Sequence, residues 1–263
     1  MNKFKQKIYQ KISNIKTPSI ISISILGSFP KKRIKNVNDI DILIIFDKLN
    51  SKIYKNLLKE FKQIAKEITT RKIKAIVETR MGPIKPKKVK DKKVLQFHLL
   101  VYDLNLLKKI GEPIWFNALH NYKFIKGKQL NKIRSLKKIS KKALLKDLQK
   151  FEGDIKGRFG WYNQYKIKNN KLELKLDQKI KLTNQYKKES IVFSIEVALM
   201  NYFCYKGFIV GKNREKLKKL SRKLPLQLQK EYFKIIRIYK KQGIKELRET
   251  AKLFLKELGK LIK

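Results

Sequence analysis

Two short motifs early in the chain carry residue types suited to phosphate chemistry. Gly27-Ser28 follows the apolar, β-branched run Ser19 to Leu26, and Asp39-Ile40-Asp41 opens a second apolar run that ends at Asp47. Side chains two apart on a strand share a face, so both carboxylates project together. Two like charges held that close, in a chain short of acids, call for a cation. Hard oxygen ligands suit Mg²⁺, which bridges one or two carboxylates and the phosphates of a substrate. A strand ending in Gly-Ser lets backbone N–H groups and a hydroxyl approach a triphosphate with no side chain in the way. Together these parts would orient a nucleoside triphosphate for in-line attack through positioning and charge neutralisation.

The surrounding segments must hold those motifs in place. Residues 2–15 put Phe4, Ile8, Ile12 and Ile15 at three-to-four spacing, which predicts an amphipathic helix. Ser19 to Leu26, bounded by Pro18 and Gly27, reads as a strand. Asp39 to Asp47 reads as a second, with the nearly continuous apolar interior of a central strand. Ser51 to Ile68 reads as a helix with Ser51 as its N-cap. Lys72 to Arg80 and Val94 to Asp103 are two more strand candidates, separated by a Pro/Gly/Lys connector from Met81 to Lys93.

After Lys126-Gly127-Lys128 the pattern is helical almost to the end. Ile191 to Tyr205 is apolar on most faces and suits the central helix of a bundle, with Gly207 and Gly211 at its exit. Lys245 to Ile262 places Leu247, Ala251, Phe254, Leu255, Leu258 and Leu261 on one stripe. Asn169 to Lys181 alternates briefly, as a hairpin arm or a frayed loop would. The expected organisation is an α/β (α+β) domain with a mixed sheet at 1–128, followed by a basic, all-α helical domain at 129–263.

The run ILGSFPKKRIKNVNDIDILIIF resembles the nucleotidyltransferase superfamily that includes DNA polymerase β, CCA-adding enzymes, poly(A) polymerases and aminoglycoside nucleotidyltransferases. Its signature is an apolar strand, Gly-Ser, about ten residues, then Asp-x-Asp in another apolar strand; here ten residues separate Ser28 from Asp39. The resemblance implies metal-dependent nucleotidyl transfer, with Asp39 and Asp41 as metal ligands and Gly27 and Ser28 holding triphosphate. Minimal members carry Ala-Arg-Gly soon after Gly-Ser, where this chain has Pro30-Lys31-Lys32. The basic run from Lys31 to Arg33 keeps positive charge near the phosphates, and Lys31 joins the nucleotide-binding candidates.

A third carboxylate completes such sites on a later strand, as a base or metal ligand. Glu78, in Ala75-Ile-Val-Glu-Thr, is the first choice, the alternative being an exposed strand residue paired with Arg80 or a lysine. His98 sits on the next strand and could take the same place as a base of near-neutral pKa, or be a hydrogen-bonded structural histidine. Asp103, at a strand end, reads as a turn residue, and His120 as surface or packing. The Met81 to Lys93 connector reads as a phosphate- or RNA-contacting loop or as solvated chain.

Composition bears on the acceptor. Lys+Arg 67 against Asp+Glu 21 leaves a net charge of +46. AT-rich coding favours lysine, but it favours Glu and Asp codons as well and does not explain the acid deficit. The excess points to a polyanionic partner, RNA or DNA before a membrane surface. Arg158, Trp161, Tyr162 and Tyr165 interleave with Lys166 and Lys168, as a single-strand stacking platform or as core aromatics. Cys204 is the one cysteine, which excludes a disulfide framework and a cysteine-cluster zinc site. No histidine follows His120, which excludes a HEPN-type helical ribonuclease. Glu196 and Asn201 break the longest apolar run, so no membrane span is expected, and the N-terminus lacks a secretory signal, so the cytoplasm is the expected location.

These observations point to an Mg²⁺-dependent nucleotidyltransferase that moves a nucleoside monophosphate from an NTP to an acceptor hydroxyl with pyrophosphate release. RNA, such as a tRNA end, is the expected acceptor. The alternatives are a protein or small-molecule hydroxyl, or a non-catalytic RNA-binding relative.

Overall fold

The computed structural model describes residues 3–30, 38–82, 93–156, 159–181, 183–210, 214–241 and 243–262, without the side chains of residues 159–161, 214 and 241. The chain forms two compact units: Met1–Ile110, Asn121–Ser135 and Trp161–Gln178 make the first, and Gly111–His120, Leu136–Gly160 and Lys179–Lys263 the second. The units interleave along the sequence, so a single cut at residue 128 does not reproduce them.

In the first unit, α1 (Lys3–Ser13) leads into β1 (Ile20–Leu26) and β2 (Asp39–Phe46), then α2 (Ser51–Ile68), β3 (Ile73–Glu78) and β4 (Lys93–Asp103). Two short helices, α3 (Leu104–Lys108) and α5 (Leu130–Ile133), and the strand β5 (Tyr122–Gly127) complete it, with α4 (Glu112–His120) belonging to the other unit. The strand order is β3-β4-β2-β1-β5, a mixed sheet: β1 is antiparallel to β2 and β5, while β4 is parallel to β2 and β3. β5 adds a fifth strand to the four read from the sequence. Its alternating YKFIKG lies where the basic boundary was placed.

Alternation divides each strand between two faces. Ile40, Ile42, Ile44 and Phe46 of β2, with Leu95, Phe97, Leu99 and Val101 of β4, bury one face against Ile8 and Ile12 of α1 and Leu57, Phe61 and Ile64 of α2. The helix α2 is capped by Asn50, whose Oδ1 accepts from Ile53 N at 2.9 Å, and not by Ser51, whose hydroxyl donates to Asn170 O at 2.5 Å. Asp103 is the N-cap of α3, accepting from Leu106 N at 2.7 Å. A two-stranded sheet, β6 (Phe159–Lys168) with β7 (Lys171–Lys181), interrupts the helical half of the sequence. Asn169 and Asn170 turn it with φ of 47° and 57°, the left-handed pair that a tight two-residue hairpin needs.

The second unit is helical. α7 (Asn184–Tyr205) carries eleven buried residues and packs with α6 (Lys141–Lys156), α8 (Arg214–Ser221), α9 (Leu226–Lys241) and α10 (Ile244–Lys260) around Ile195, Leu199, Leu247 and Phe254. Gly207 ends α7 in the left-handed region, at φ 87°, with Phe208 N donating back to Phe203 O at 2.9 Å. One polar chain runs through this apolar core: Asn117 Nδ2 donates to Asn201 Oδ1 at 3.0 Å, and Asn201 Nδ2 to Asp147 Oδ2 at 2.8 Å. Among the described residues, no helix is long and apolar enough to cross a membrane.

Candidate functional site

Strand register lines the candidate residues up across the first unit's sheet. Glu78 of β3 lies opposite His98 of β4, His98 opposite Asp41 of β2, Asp41 opposite Leu26 of β1, and Leu26 opposite Tyr122 of β5. Opposed residues project to the same side, so the five form one row on the face away from α1 and α2. Asp39 heads the neighbouring row with Gln96 and Ile76.

Gly27 and Ser28 follow Leu26 directly, so the turn after β1 leaves the sheet beside Asp41. Gly27 has φ 74°, a conformation that strains a residue bearing Cβ. The turn is held from α1. Phe29 is buried edge-on to Tyr9, with ring centroids 5.5 Å apart, and Lys5 Nζ donates to Pro30 O at 2.7 Å.

His98 is the hub of the row. Its Nε2 lies 2.8 Å from the Arg80 carbonyl oxygen and its Nδ1 2.9 Å from Asp41 Oδ1. A carbonyl only accepts, so Nε2 carries a proton; a carboxylate only accepts, so Nδ1 carries one as well. Burial alone would pull the imidazole pKa down. The hydrogen bond and charge of Asp41, the Arg80 carbonyl and the charge of Glu78 outweigh it, and the pKa is raised above 6.5. The result is an imidazolium whose two N–H groups are both committed.

Glu78 is held as an ionised carboxylate. Burial pushes its pKa up, but Arg80 donates from its backbone N and from Nε to Oε1, both at 2.9 Å, and from Nη2 to Oε2 at 2.5 Å, and the net shift is downward. The side-chain pairing with Arg80 raised as an alternative for Glu78 is therefore present. A carboxylate offers about four acceptor sites, so among the described residues one on Oε2 stays open.

The β6–β7 hairpin braces this segment. Met81 N donates to Asn163 O at 2.7 Å and Asn163 N to Met81 O at 3.1 Å, Gln164 Nε2 donates to Thr79 Oγ1 at 3.0 Å, and the Arg80 guanidinium carbon lies 5.7 Å from the Tyr162 ring centre. Tyr165 packs on Tyr54 at 5.4 Å, so of the proposed aromatic platform it joins the core. Sequence reasoning did not connect the hairpin with the site. The signal was Asn169-Asn170 between two alternating runs.

The structure thus brings Asp39, Asp41, His98 and Glu78 onto two adjacent rows beside Gly27-Ser28. Lys31 and the rest of its basic run, most of the 81–93 connector, and Arg158 lie outside the described residues. His120 is structural, its Nδ1 bonded to Phe116 O at 2.8 Å.

Among the described residues no group of three or more His, Cys, Asp or Glu is arranged to hold a metal. A cation on Asp39 and Asp41 would draw its remaining ligands from water and substrate oxygens, the pattern of Mg²⁺ at phosphate sites. The donor set fits that ion.

No family model matches the sequence, and no curated protein matches it. The structure is similar to the crystal structure of spectinomycin adenyltransferase from Enterococcus faecialis with ATP and spectinomycin, with a TM-score of 0.50 and 13% identity over 98% of each chain. At that identity the likeness concerns fold: the chain shares with that enzyme a mixed α/β sheet followed by a helical region.

Proposed function

We propose that this protein is a metal-dependent nucleotidyltransferase that moves a nucleoside monophosphate, with ATP as the leading donor, onto a hydroxyl of a small molecule. The observation that carries the reading is the carboxylate pair Asp39 and Asp41 on one sheet face beside the Gly27-Ser28 turn. The enzyme of similar fold was crystallised with ATP and spectinomycin, which supports the donor and a small-molecule acceptor. Transfer to RNA is the second reading, and the net charge of +46 is what favours it.

In this reading Asp39 and Asp41 would hold Mg²⁺, which would supply neutralisation of triphosphate charge. Gly27 and Ser28 offer backbone N–H groups and a hydroxyl to the β- and γ-phosphates. His98 positions Asp41: Nε2 is anchored on the Arg80 carbonyl, so the ring cannot turn without losing a bond, and Nδ1 fixes one carboxylate oxygen. With both nitrogens protonated, His98 has no lone pair with which to act as a base. That task falls to Glu78, whose open Oε2 site can take the acceptor's proton while Arg80 stays bound.

The test incubates the protein with Mg²⁺ and each α-³²P-labelled NTP, separately with spectinomycin and with total RNA, beside D39A/D41A. Label entering spectinomycin only with wild type supports the small-molecule reading. Label entering RNA moves the acceptor to the second reading, and no transfer to either sinks the assignment for these acceptors.

A further inference from the structure

The solvent face of α2 carries Lys52, Lys55, Lys59, Lys62 and Lys66, all exposed. At 100° per residue the five fall within an arc of about 80°, and they run along about 21 Å of helix. They lie opposite Tyr54, Leu57, Phe61 and Ile64, which bury the other side in the core. None of the five makes an ion pair among the described residues.

The helix does contain acids, but they are engaged elsewhere. Glu60 accepts from Lys16 N at 2.7 Å, from Thr17 N at 3.0 Å and from the Thr17 hydroxyl. Glu67 pairs with Lys11 at 2.6 Å and accepts from Gln63 Nε2 at 2.9 Å. Two helices of the second unit are arranged differently: Glu215–Lys218 on α8, and Glu249–Lys252 and Glu257–Lys260 on α10, pair along the helix at 3.0, 2.8 and 2.7 Å. A lysine-rich composition alone gives no reason for α2 to leave its row uncompensated, since like charges three and four apart oppose helix formation.

We propose that this face of α2 binds the phosphate backbone of base-paired RNA, independently of the chemistry on the other face of the sheet. Winding carries part of each strand away from any one side, so a length of duplex matching the row presents several phosphates, drawn from both strands, to the five lysines. The row carries no exposed aromatic side chain, so it offers no platform for unstacked bases. The apolar side of α2 is already buried, which leaves nothing to insert into a lipid surface. Asn56 and Gln63, both exposed and two helical turns apart, flank the lysines and carry amide oxygens. Such oxygens accept from a ribose 2′-hydroxyl, a donor that DNA lacks.

The test measures anisotropy of a labelled RNA hairpin of about 16 base pairs across salt from about 50 to about 200 mM. K52Q/K55Q/K59Q/K62Q/K66Q is compared with wild type and with a charge-matched control, K142Q/K146Q/K230Q/K245Q/K256Q, which removes five exposed lysines from the second unit. Glutamine keeps a helix propensity close to that of lysine, so circular dichroism should not separate the variants. The proposal expects the α2 variant to lose at least about tenfold in affinity and its log–log salt slope to flatten by about four, with the control changing less than about threefold. Equal losses in both variants would show a diffuse field and overturn it, as would absence of RNA binding by wild type. Equal affinity for a DNA duplex of the same length would overturn the choice of RNA. Binding that depends on these lysines only with anionic vesicles would replace RNA by a membrane.

Discussion

The row around His98 in the first unit and the amide chain around Asn201 in the second treat charge in opposite ways. In the first unit Asp41, His98, Glu78 and Arg80 alternate in sign, and the shifts favour ionisation: His98 is raised and Glu78 lowered. Among the helices of the second unit, Asn117 and Asn201 are neutral amides, and burial raises the pKa of Asp147 towards the uncharged form. Both clusters are satisfied by short hydrogen bonds, so satisfaction alone does not distinguish a site from a structural network. What distinguishes them is whether neighbours hold the charge on or burial takes it off. A sheet row whose ionised groups are held charged suits handling a charged substrate; a neutral amide chain suits an apolar core.

The sharpest way to break this comparison is Asp41→Asn. It removes a charge from the cation-binding pair and leaves the imidazolium without its counter-ion. Transfer of labelled nucleotide should fall by about 10³-fold, the scale of several kcal/mol of transition-state charge stabilisation. The unfolding free energy should fall by about 3 kcal/mol, as when one partner of a buried pair is lost. Denaturant titration and single-turnover label transfer check the two parts. Retained activity would remove the first cluster from the chemistry.

His98→Gln asks for less. A glutamine amide can still donate towards Asp41, but it carries no charge and cannot also donate to the Arg80 carbonyl from a second ring atom. Loss of a group that orients a metal-binding carboxylate costs about 10- to 100-fold. The loss should appear partly as a higher Mg²⁺ requirement, read from a metal titration of the rate. A catalytic base would instead give a loss that added Mg²⁺ leaves unchanged.

Much of the first unit was legible because its chemistry is local. Gly-Ser after one β-branched run and Asp-x-Asp opening the next are determined by strand alternation, and the structure puts both carboxylates on the face the spacing demands. Which candidate adjoins Asp41 was not legible, because sequence order and strand order differ. Glu78 precedes His98 in the chain, yet β4 lies between β3 and β2, so the neighbour of Asp41 is His98. The hairpin was half-legible: its second arm alternates, but its first arm, rich in aromatic residues, matched other patterns. Asn201 was visible as a break in an apolar run, and its partners were not, because Asn117 and Asp147 come from other helices.

In the second unit Asn201→Leu sharpens the contrast. Asn201 is buried and bridges the chain, so an apolar replacement strips a donor from Asp147 and an acceptor from Asn117. Each group left unsatisfied costs about 1–3 kcal/mol. The melting temperature should fall clearly while label transfer per folded molecule stays unchanged. Equal losses of stability and of intrinsic rate would mean that the helical network also serves the chemistry.

The smallest effect should come from Asp147→Asn, and it is the one in which sign matters most. Burial raises the Asp147 pKa above 3.8, Asp154 adds to the rise, and Lys150 and the Asn201 hydrogen bond oppose it. A raised carboxyl pKa means that the native state binds the proton more tightly than the unfolded chain. Stability from this group is therefore present at low pH and declines as pH rises from 3.8 through the folded value, then levels off. Asparagine keeps an oxygen that can accept from Asn201 and never ionises. The variant should match wild type in acid and gain on it as pH rises towards neutrality, by a margin smaller than the loss in Asn201→Leu. Melting temperatures of both proteins across that range test it. A gap that instead closed with rising pH would mean that the Asp147 charge is held on, as in the first unit, and the distinction between the two clusters would fail.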